Sequence, residues 1–213
     1  MTQRLPAGLY GITAEKFSRG RSNIDVVREM IRGGVKIVQY REKHSEKSIA
    51  SMYEECLEIR RITRENGVLF IINDFVDLAL LADADGVHVG QDDLPVEAVR
   101  RLVGDKIIGL STHSPQQATK ALASGADYIG VGPIFETHTK DDVCNPVGLA
   151  YLEYVAGNLS IPYVAIGGIK EYNIHQVCER GAKTICLVTD IVGAEDIAEK
   201  VKTLNRIISQ QSA

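Results

Sequence analysis

Short apolar runs alternate with longer amphipathic stretches from one end of this chain to the other. The runs at residues 8–13, 35–41, 68–73, 85–89, 106–111, 127–131, 162–167 and 183–189 are rich in Val, Ile and Leu. Their apolar character is nearly continuous, as in VLFIIN and KIIGLS, which predicts strands covered on both faces, as in a parallel sheet. Between them, residues 46–65 carry Ile49, Met52, Tyr53, Cys56, Leu57 and Ile59 at helical spacing and predict an amphipathic helix. Strand then helix, repeated, predicts parallel pairing.

Several helical stretches end in a small-residue signal just before the next strand: RGGVK at 32–36, ENGV at 65–68, SGAD at 124–127 and RGAK at 180–183. A glycine there suits the left-handed residue that closes a helix. Eight such units in 213 residues average about 27 residues each, the short end for a closed (β/α)8 barrel. No Pro/Gly/Ser-rich linker interrupts them, so residues 1–213 are expected to form a single α/β domain, a (β/α)8 TIM barrel. The competing open, doubly wound sheet lacks its GxGxxG fingerprint after the first run.

Composition removes some functions. With 24 Lys+Arg against 28 Asp+Glu, the net charge of −4 leaves no general basic stripe for nucleic acid. No Trp, 4 Phe and 8 Tyr make a poor base-stacking platform. The segment MTQRLPAGLYG has no signal-peptide pattern, and no apolar stretch approaches the roughly 18 residues of a membrane span, so a cytoplasmic protein is expected. Cys56, Cys144, Cys178 and Cys186 lack CxxC spacing and read as reduced thiols. The expected partner is a small molecule rather than nucleic acid or membrane, and a homo-oligomer is left open.

In a barrel of this kind, reactive groups lie at the carboxyl ends of the strands. The second run ends in Gln39-Tyr40-Arg41-Glu42-Lys43, and period-two alternation throws Gln39, Arg41 and Lys43 to one side. Arg41 and Lys43 suit a phosphate or diphosphate; the alternative is a solvated charge run with Glu42 and His44. The third run ends in Asn73-Asp74 and the fourth leads into His88-Val89-Gly90-Gln91-Asp92-Asp93. Carboxylates from adjacent strand ends suit Mg²⁺, which shares its oxygen shell with water and substrate phosphates; each of these aspartates could equally cap the helix that follows. His88 reads as a packed, hydrogen-bonded histidine.

Ser111-Thr112-His113-Ser114 could orient a heterocycle, with Ser114 equally an N-cap before Pro115. A polar loop after the sixth run, through Thr137, Thr139 and Lys140, has the chemistry to order over an anion. The Gly167-Gly168 pair and the end of the eighth run occupy the barrel's recurrent phosphate position, which makes a second anion site.

The ordered set QYREK, INDFVDLAL, ADGVHVGQDDLP, GLSTH, ADYIGVGPIFETHTK and IPYVAIGGI resembles the thiamine phosphate synthase family over nearly the whole chain. The resemblance implies a transferase that joins 4-amino-2-methyl-5-(diphosphooxymethyl)pyrimidine to a thiazole ethyl phosphate, releasing diphosphate. It implies a pyrimidine diphosphate site of Gln39, Arg41, Lys43, Asn73, Ser111 and Lys140, with Arg41, Lys43 and Lys140 acting on the leaving group. It implies one Mg²⁺ on Asp74 and Asp93, and a thiazole phosphate site of Thr137, Thr139, Gly168, Val188 and Thr189. The chain departs from the family's VVSAI with LVTDI at 187–191, which puts the charge of Asp190 beside the proposed phosphate. Two rivals remain: a related metal-independent thiazole tautomerase using His113, and a non-catalytic barrel that binds thiamine phosphate.

Overall fold

The computed structural model describes residues 5–43, 45–139 and 144–211. Eight parallel strands close in sequence order: β1 (Gly8–Ile12), β2 (Ile37–Tyr40), β3 (Leu69–Asn73), β4 (Gly86–Val89), β5 (Ile107–Thr112), β6 (Tyr128–Val131), β7 (Tyr163–Ala165) and β8 (Thr184–Leu187). The closing pair is β1 with β8, in which Gly8 sits opposite Thr184. The expected barrel is therefore the observed one: seven of the eight apolar runs contain a strand, and β5 extends one residue beyond its run to Thr112.

The helices outside it are α1 (Asn23–Gly33), α2 (Ile49–Glu65), α3 (Val76–Leu81), α4 (Val96–Val103), α5 (Pro115–Ala123), α6 (Gly148–Asn158), α7 (Ile174–Glu179), the single turn α8 (Thr189–Val192), and α9 (Ile197–Gln211). Three starts are fixed by serine. Ser22, Ser48 and Ser114 accept hydrogen bonds from the backbone N–H of Asp25, Ser51 and Gln117 at 3.1, 3.2 and 3.3 Å. Such caps contribute about 1 kcal/mol each. One glycine in each of the four small-residue signals, Gly34, Gly67, Gly125 and Gly181, has positive φ.

Strand residues alternate between two cores. One face packs outward against the helices, through Leu9, Val38, Phe70, Ile72, Val87 and Ile129 among others. The other fills the barrel with Tyr10, Ile12, Ile37, Leu69, Ile71, Ile107, Tyr128, Val164 and Cys186. Two buried faces account for the continuous apolar runs. Inside, the amino-terminal halves of the strands are apolar, while toward the carboxyl ends the buried side chains include Gln39, Asn73 and His88.

Several boundaries differ from expectation. The helix expected over 46–65 begins at Ile49, because Ser48 caps it. Asp74 does not cap α3: Phe75 holds the N-cap position without a side-chain bond. Neither Asp92 nor Asp93 caps α4, whose N-cap is Pro95. The run expected to reach residue 189 stops at Leu187. Val188 turns the chain (φ −111°, ψ −85°), so Thr189 opens α8 instead of ending a strand. Among the described residues no helix is long and apolar enough to cross a membrane.

Candidate active site

The carboxyl end of β2 supplies the first part of the site. Thr13 Oγ1 accepts the Arg41 N–H at 2.9 Å, tying the chain leaving β2 to the chain leaving β1. Arg41 and Lys43 then line a cleft with Lys16, His138 and Thr139 and with the carboxylates of Glu15, Glu42 and Glu46. The Arg41 guanidinium has no hydrogen bond or ion pair among the described residues. Glu42, between the two cations in sequence, lines the same cleft and is held there by hydrogen bonds. Its carboxylate accepts from the Glu15 N–H at 3.1 Å and from Asn23 Nδ2 at 2.9 Å.

Beside it, Lys47 joins Glu15 to Glu55, reaching Glu55 Oε1 at 2.6 Å, while Tyr40 donates to Glu55 Oε2 at 2.7 Å. Burial pulls the Lys47 ammonium down, but its hydrogen bonds to Glu15 and Glu55 outweigh this and leave its pKa raised. Desolvation, with the hydrogen bond to Glu55, pushes the Tyr40 phenol far up. These groups bind the loop after β1 to the loop after β2.

Polar side chains cross the barrel below this cleft. Gln39 Nε2 donates to Tyr10 Oη at 2.7 Å, and Tyr10 Oη meets Tyr128 Oη at 2.9 Å. Tyr128 Oη lies 2.8 Å from His88 Nδ1, and His88 Nε2 lies 2.9 Å from Ser111 Oγ. Burial above all raises the pKa of both phenols. His88 is thus packed and hydrogen-bonded, as its sequence context suggested. Gln91 Nε2 also donates to the Ser111 carbonyl at 2.6 Å. Asn73 pairs with His88 in the β3–β4 register, and its side-chain amide has no hydrogen-bond partner among the described residues.

Asp74 and Asp93 follow the adjacent strands β3 and β4. Asp74 has φ of +62°, a conformation uncommon for a residue with a Cβ, and its N–H donates to the His88 carbonyl at 2.8 Å. Asp93 Oδ2 accepts the Gly90 N–H at 2.7 Å, closing a short exposed turn. No group of three or more His, Cys, Asp or Glu suited to a metal occurs among the described residues. Two carboxylates after neighbouring strands form a hard-oxygen donor set of the kind that fits Mg²⁺, which takes few protein ligands and fills its shell with water and phosphate.

The third part lies at β6, β7 and β8. Gly167 (φ +98°) and Gly168 (φ +64°) form a tight turn beneath the loop after β6. A Cβ on Gly168 would stand 2.5 Å from the Glu136 carbonyl oxygen, so glycine alone permits this contact. Phe135 N–H donates to the Gly167 carbonyl at 2.9 Å, while the Gly168 N–H has no acceptor among the described residues. Two residues on, Thr137 Oγ1 and Thr139 Oγ1 are 3.0 Å apart. Lys170 Nζ donates to Thr189 Oγ1 at 2.5 Å. Sequence reasoning missed Lys170; its one signal was its place directly after the Gly-Gly-Ile turn.

Asp190, next to Thr189, is tied to the chain just after Lys170 and to α9. Its Oδ2 accepts the Glu171 N–H at 3.0 Å and lies 3.9 Å from Lys200 Nζ. His113 Nδ1 donates to the Gly132 carbonyl at 2.6 Å and takes no part in the chain through His88. Ser114 is the N-cap of α5. Lys140 lies outside the described residues, as does His44.

A family model described as thiamine monophosphate synthase matches residues 9–191. The chain is 66% identical over 208 residues to a thiamine-phosphate synthase of Pelotomaculum thermopropionicum, covering 97% of this chain and 94% of that one. It is 53% identical to the thiamine-phosphate synthase of Caldicellulosiruptor saccharolyticus over 203 residues, 95% of this chain and 91% of that one. Among solved structures, a thiamine phosphate pyrophosphorylase from Pyrococcus furiosus superposes with a TM-score of 0.89 at 34% identity, covering 97% of this chain and 98% of that one.

Proposed function

Since the chain belongs to the thiamine monophosphate synthase family and is a transferase of that kind, we propose that it couples 4-amino-2-methyl-5-(diphosphooxymethyl)pyrimidine to a thiazole ethyl phosphate. The products are thiamine phosphate and diphosphate. One observation carries this reading. Two anion-receptive groups stand at one barrel mouth: Arg41 and Lys43 in the cleft after β2, and Gly168 with Lys170 and Thr189 after β7 and β8. A reaction in which one substrate leaves a diphosphate and the other retains a phosphate needs two such places.

In this reading the bond between the pyrimidine methylene carbon and the diphosphate oxygen breaks first, and the electron pair leaves with diphosphate. The thiazole nitrogen lone pair then forms the new C–N bond. No protein nucleophile is needed. Arg41, Lys43 and Lys140 hold the departing oxygens and offset their growing charge, the effect that usually contributes most to such catalysis. Gln39, Asn73 and Ser111 orient the pyrimidine, while Thr137, Thr139, Gly168, Val188 and Thr189 hold the thiazole phosphate. Orientation of two bound reactants supplies much of the remaining acceleration.

Asp74 and Asp93 are the residues that would hold Mg²⁺; when bound, the ion adds positive charge beside the leaving diphosphate. The test mixes both phosphorylated precursors with and without Mg²⁺ and follows thiamine phosphate and diphosphate. Mg²⁺-dependent formation of both in equal amounts supports the reading, and its absence sinks it.

A further inference from the structure

With His88 a neutral imidazole, the direction of every hydrogen bond in the chain from Gln39 to Ser111 follows from counting protons. Each tyrosine hydroxyl has a single proton to donate, and a neutral imidazole donates from one nitrogen and accepts at the other. Gln39 Nε2 donates to Tyr10, so the Tyr10 proton goes to its other partner, Tyr128. Tyr128 must then donate to His88 Nδ1. With Nδ1 accepting, the ring proton lies on Nε2 and points at Ser111 Oγ. Ser111 accepts there, which leaves its own proton uncommitted among the described residues. At the opposite end, Gln39 Oε1 has no hydrogen-bond partner among the described residues.

Gly109 shows that this arrangement is built in. It lies between His88 and Tyr128, and a Cβ there would stand 2.2 Å from Tyr128 Cζ and 2.4 Å from His88 Nδ1. Any larger residue would force apart the two side chains that form the central link.

We propose that these five residues form a polarised hydrogen-bond wire in which Tyr10, Tyr128 and His88 are positioning residues. The wire fixes His88 with its proton on Nε2, fixes Ser111 as a hydrogen-bond donor, and fixes Gln39 Oε1 as an acceptor. The heterocycle it selects offers an N–H to Gln39 and a lone pair to Ser111. A 4-aminopyrimidine does so with its exocyclic amine and adjacent ring nitrogen; the 4-oxo analogue reverses both polarities. The substrate part of this inference rests on the proposed function, whereas the wire's direction does not.

The test uses ¹⁵N-histidine-labelled enzyme, with the signals of the five histidines assigned by single replacements. We expect wild-type His88 to show its proton on Nε2. Tyr128→Phe removes the donor into Nδ1, so the two tautomers should mix. The same variant should lose about 10-fold in kcat/KM for the aminopyrimidine diphosphate, with the KM for thiazole phosphate unchanged. A merely structural role would leave the tautomer alone.

Tyr10→Phe serves if Tyr128→Phe fails to fold. Tyr128 still donates to His88, so the Nε2 proton should persist while kcat/KM falls, because the Gln39 end is released. A wild-type His88 proton on Nδ1, or a foldable variant with unchanged kcat/KM, overturns the wire. If wild-type enzyme forms no thiamine phosphate, the proposed function fails, and the ¹⁵N spectrum alone decides the wire.

Discussion

Lys170 and Thr189 meet side chain to side chain, Nζ to Oγ1 at 2.5 Å, across the carboxyl ends of β7 and β8. The contact puts a cation beside the first residue of α8, at the end of the barrel where the thiazole phosphate is proposed to sit. Lys170→Ala should therefore raise the KM for thiazole phosphate about 10-fold, the cost of one charge-assisted hydrogen bond, and leave kcat within about twofold. Steady-state titration of each substrate in turn reads this out. A change confined to the pyrimidine substrate would place Lys170 elsewhere.

Arg41→Ala should lower kcat by about 10²–10³, the usual consequence of removing one group that offsets charge in a transition state. The guanidinium has no ion pair among the described residues, so stability should change little. Thermal unfolding of the variant next to its turnover separates the two effects.

Asp93→Ala should shift the Mg²⁺ concentration for half-maximal activity upward by about 10-fold or more. The Asp93 carboxylate also accepts the Gly90 N–H, so Asp93→Asn, which keeps that acceptor, is the cleaner variant. Near-normal turnover at low Mg²⁺ in both variants would remove Asp93 from the metal site.

Gly168→Ala should both destabilise the fold and weaken thiazole phosphate binding. The residue has φ of +64°, which costs an alanine about 1–2 kcal/mol, and its new Cβ would meet the Glu136 carbonyl at 2.5 Å. The loop carrying Thr137 and Thr139 must then move. The expected result is a lower Tm together with a higher KM for thiazole phosphate.

Stability should fall once the pH passes about 10, near where the unfolded chain's tyrosines and lysines begin to lose protons. Tyr40, Tyr10 and Tyr128 have raised pKa values, chiefly through burial, and Lys47 is raised despite burial. Each of these groups keeps its proton longer in the folded state, so their contribution is intact below the unfolded pKa and is lost as pH rises toward the folded one. Denaturant unfolding at a series of pH values from 8 to 11 measures it. A flat profile over that range would contradict the burial of these groups.

The barrel was legible because strands buried on both faces carry apolar residues continuously, and runs such as VLFIIN have no competing solvent face. The strand ends were legible for the same reason, since a charge interrupting such a run marks where burial stops, as at Arg41. Contacts between distant residues were not. Tyr10 and Tyr128 read as two aromatics in two strands, and nothing local announces a hydrogen bond between residues 118 positions apart. Nor does anything local announce the partners of Asp190, the Glu171 N–H and Lys200. The turn at Val188 escaped notice because a β-branched residue after an apolar run looks like more strand.

Barrel closure through β1 and β8 also constrains synthesis. Seven of the eight strand pairings join neighbours in sequence and become available as the chain lengthens, but Gly8 waits for Thr184. The outer seal is equally late: α1 packs on α9 so closely that a Cβ on Gly33 would lie 2.5 Å from that of Val201. On the ribosome, the free edge of β1 and the apolar flank of α1 therefore stay exposed until β8 and α9 have emerged. Chains released early carry an open sheet edge, the surface through which strands of separate molecules pair, so truncated products should aggregate and depend on chaperones or be degraded.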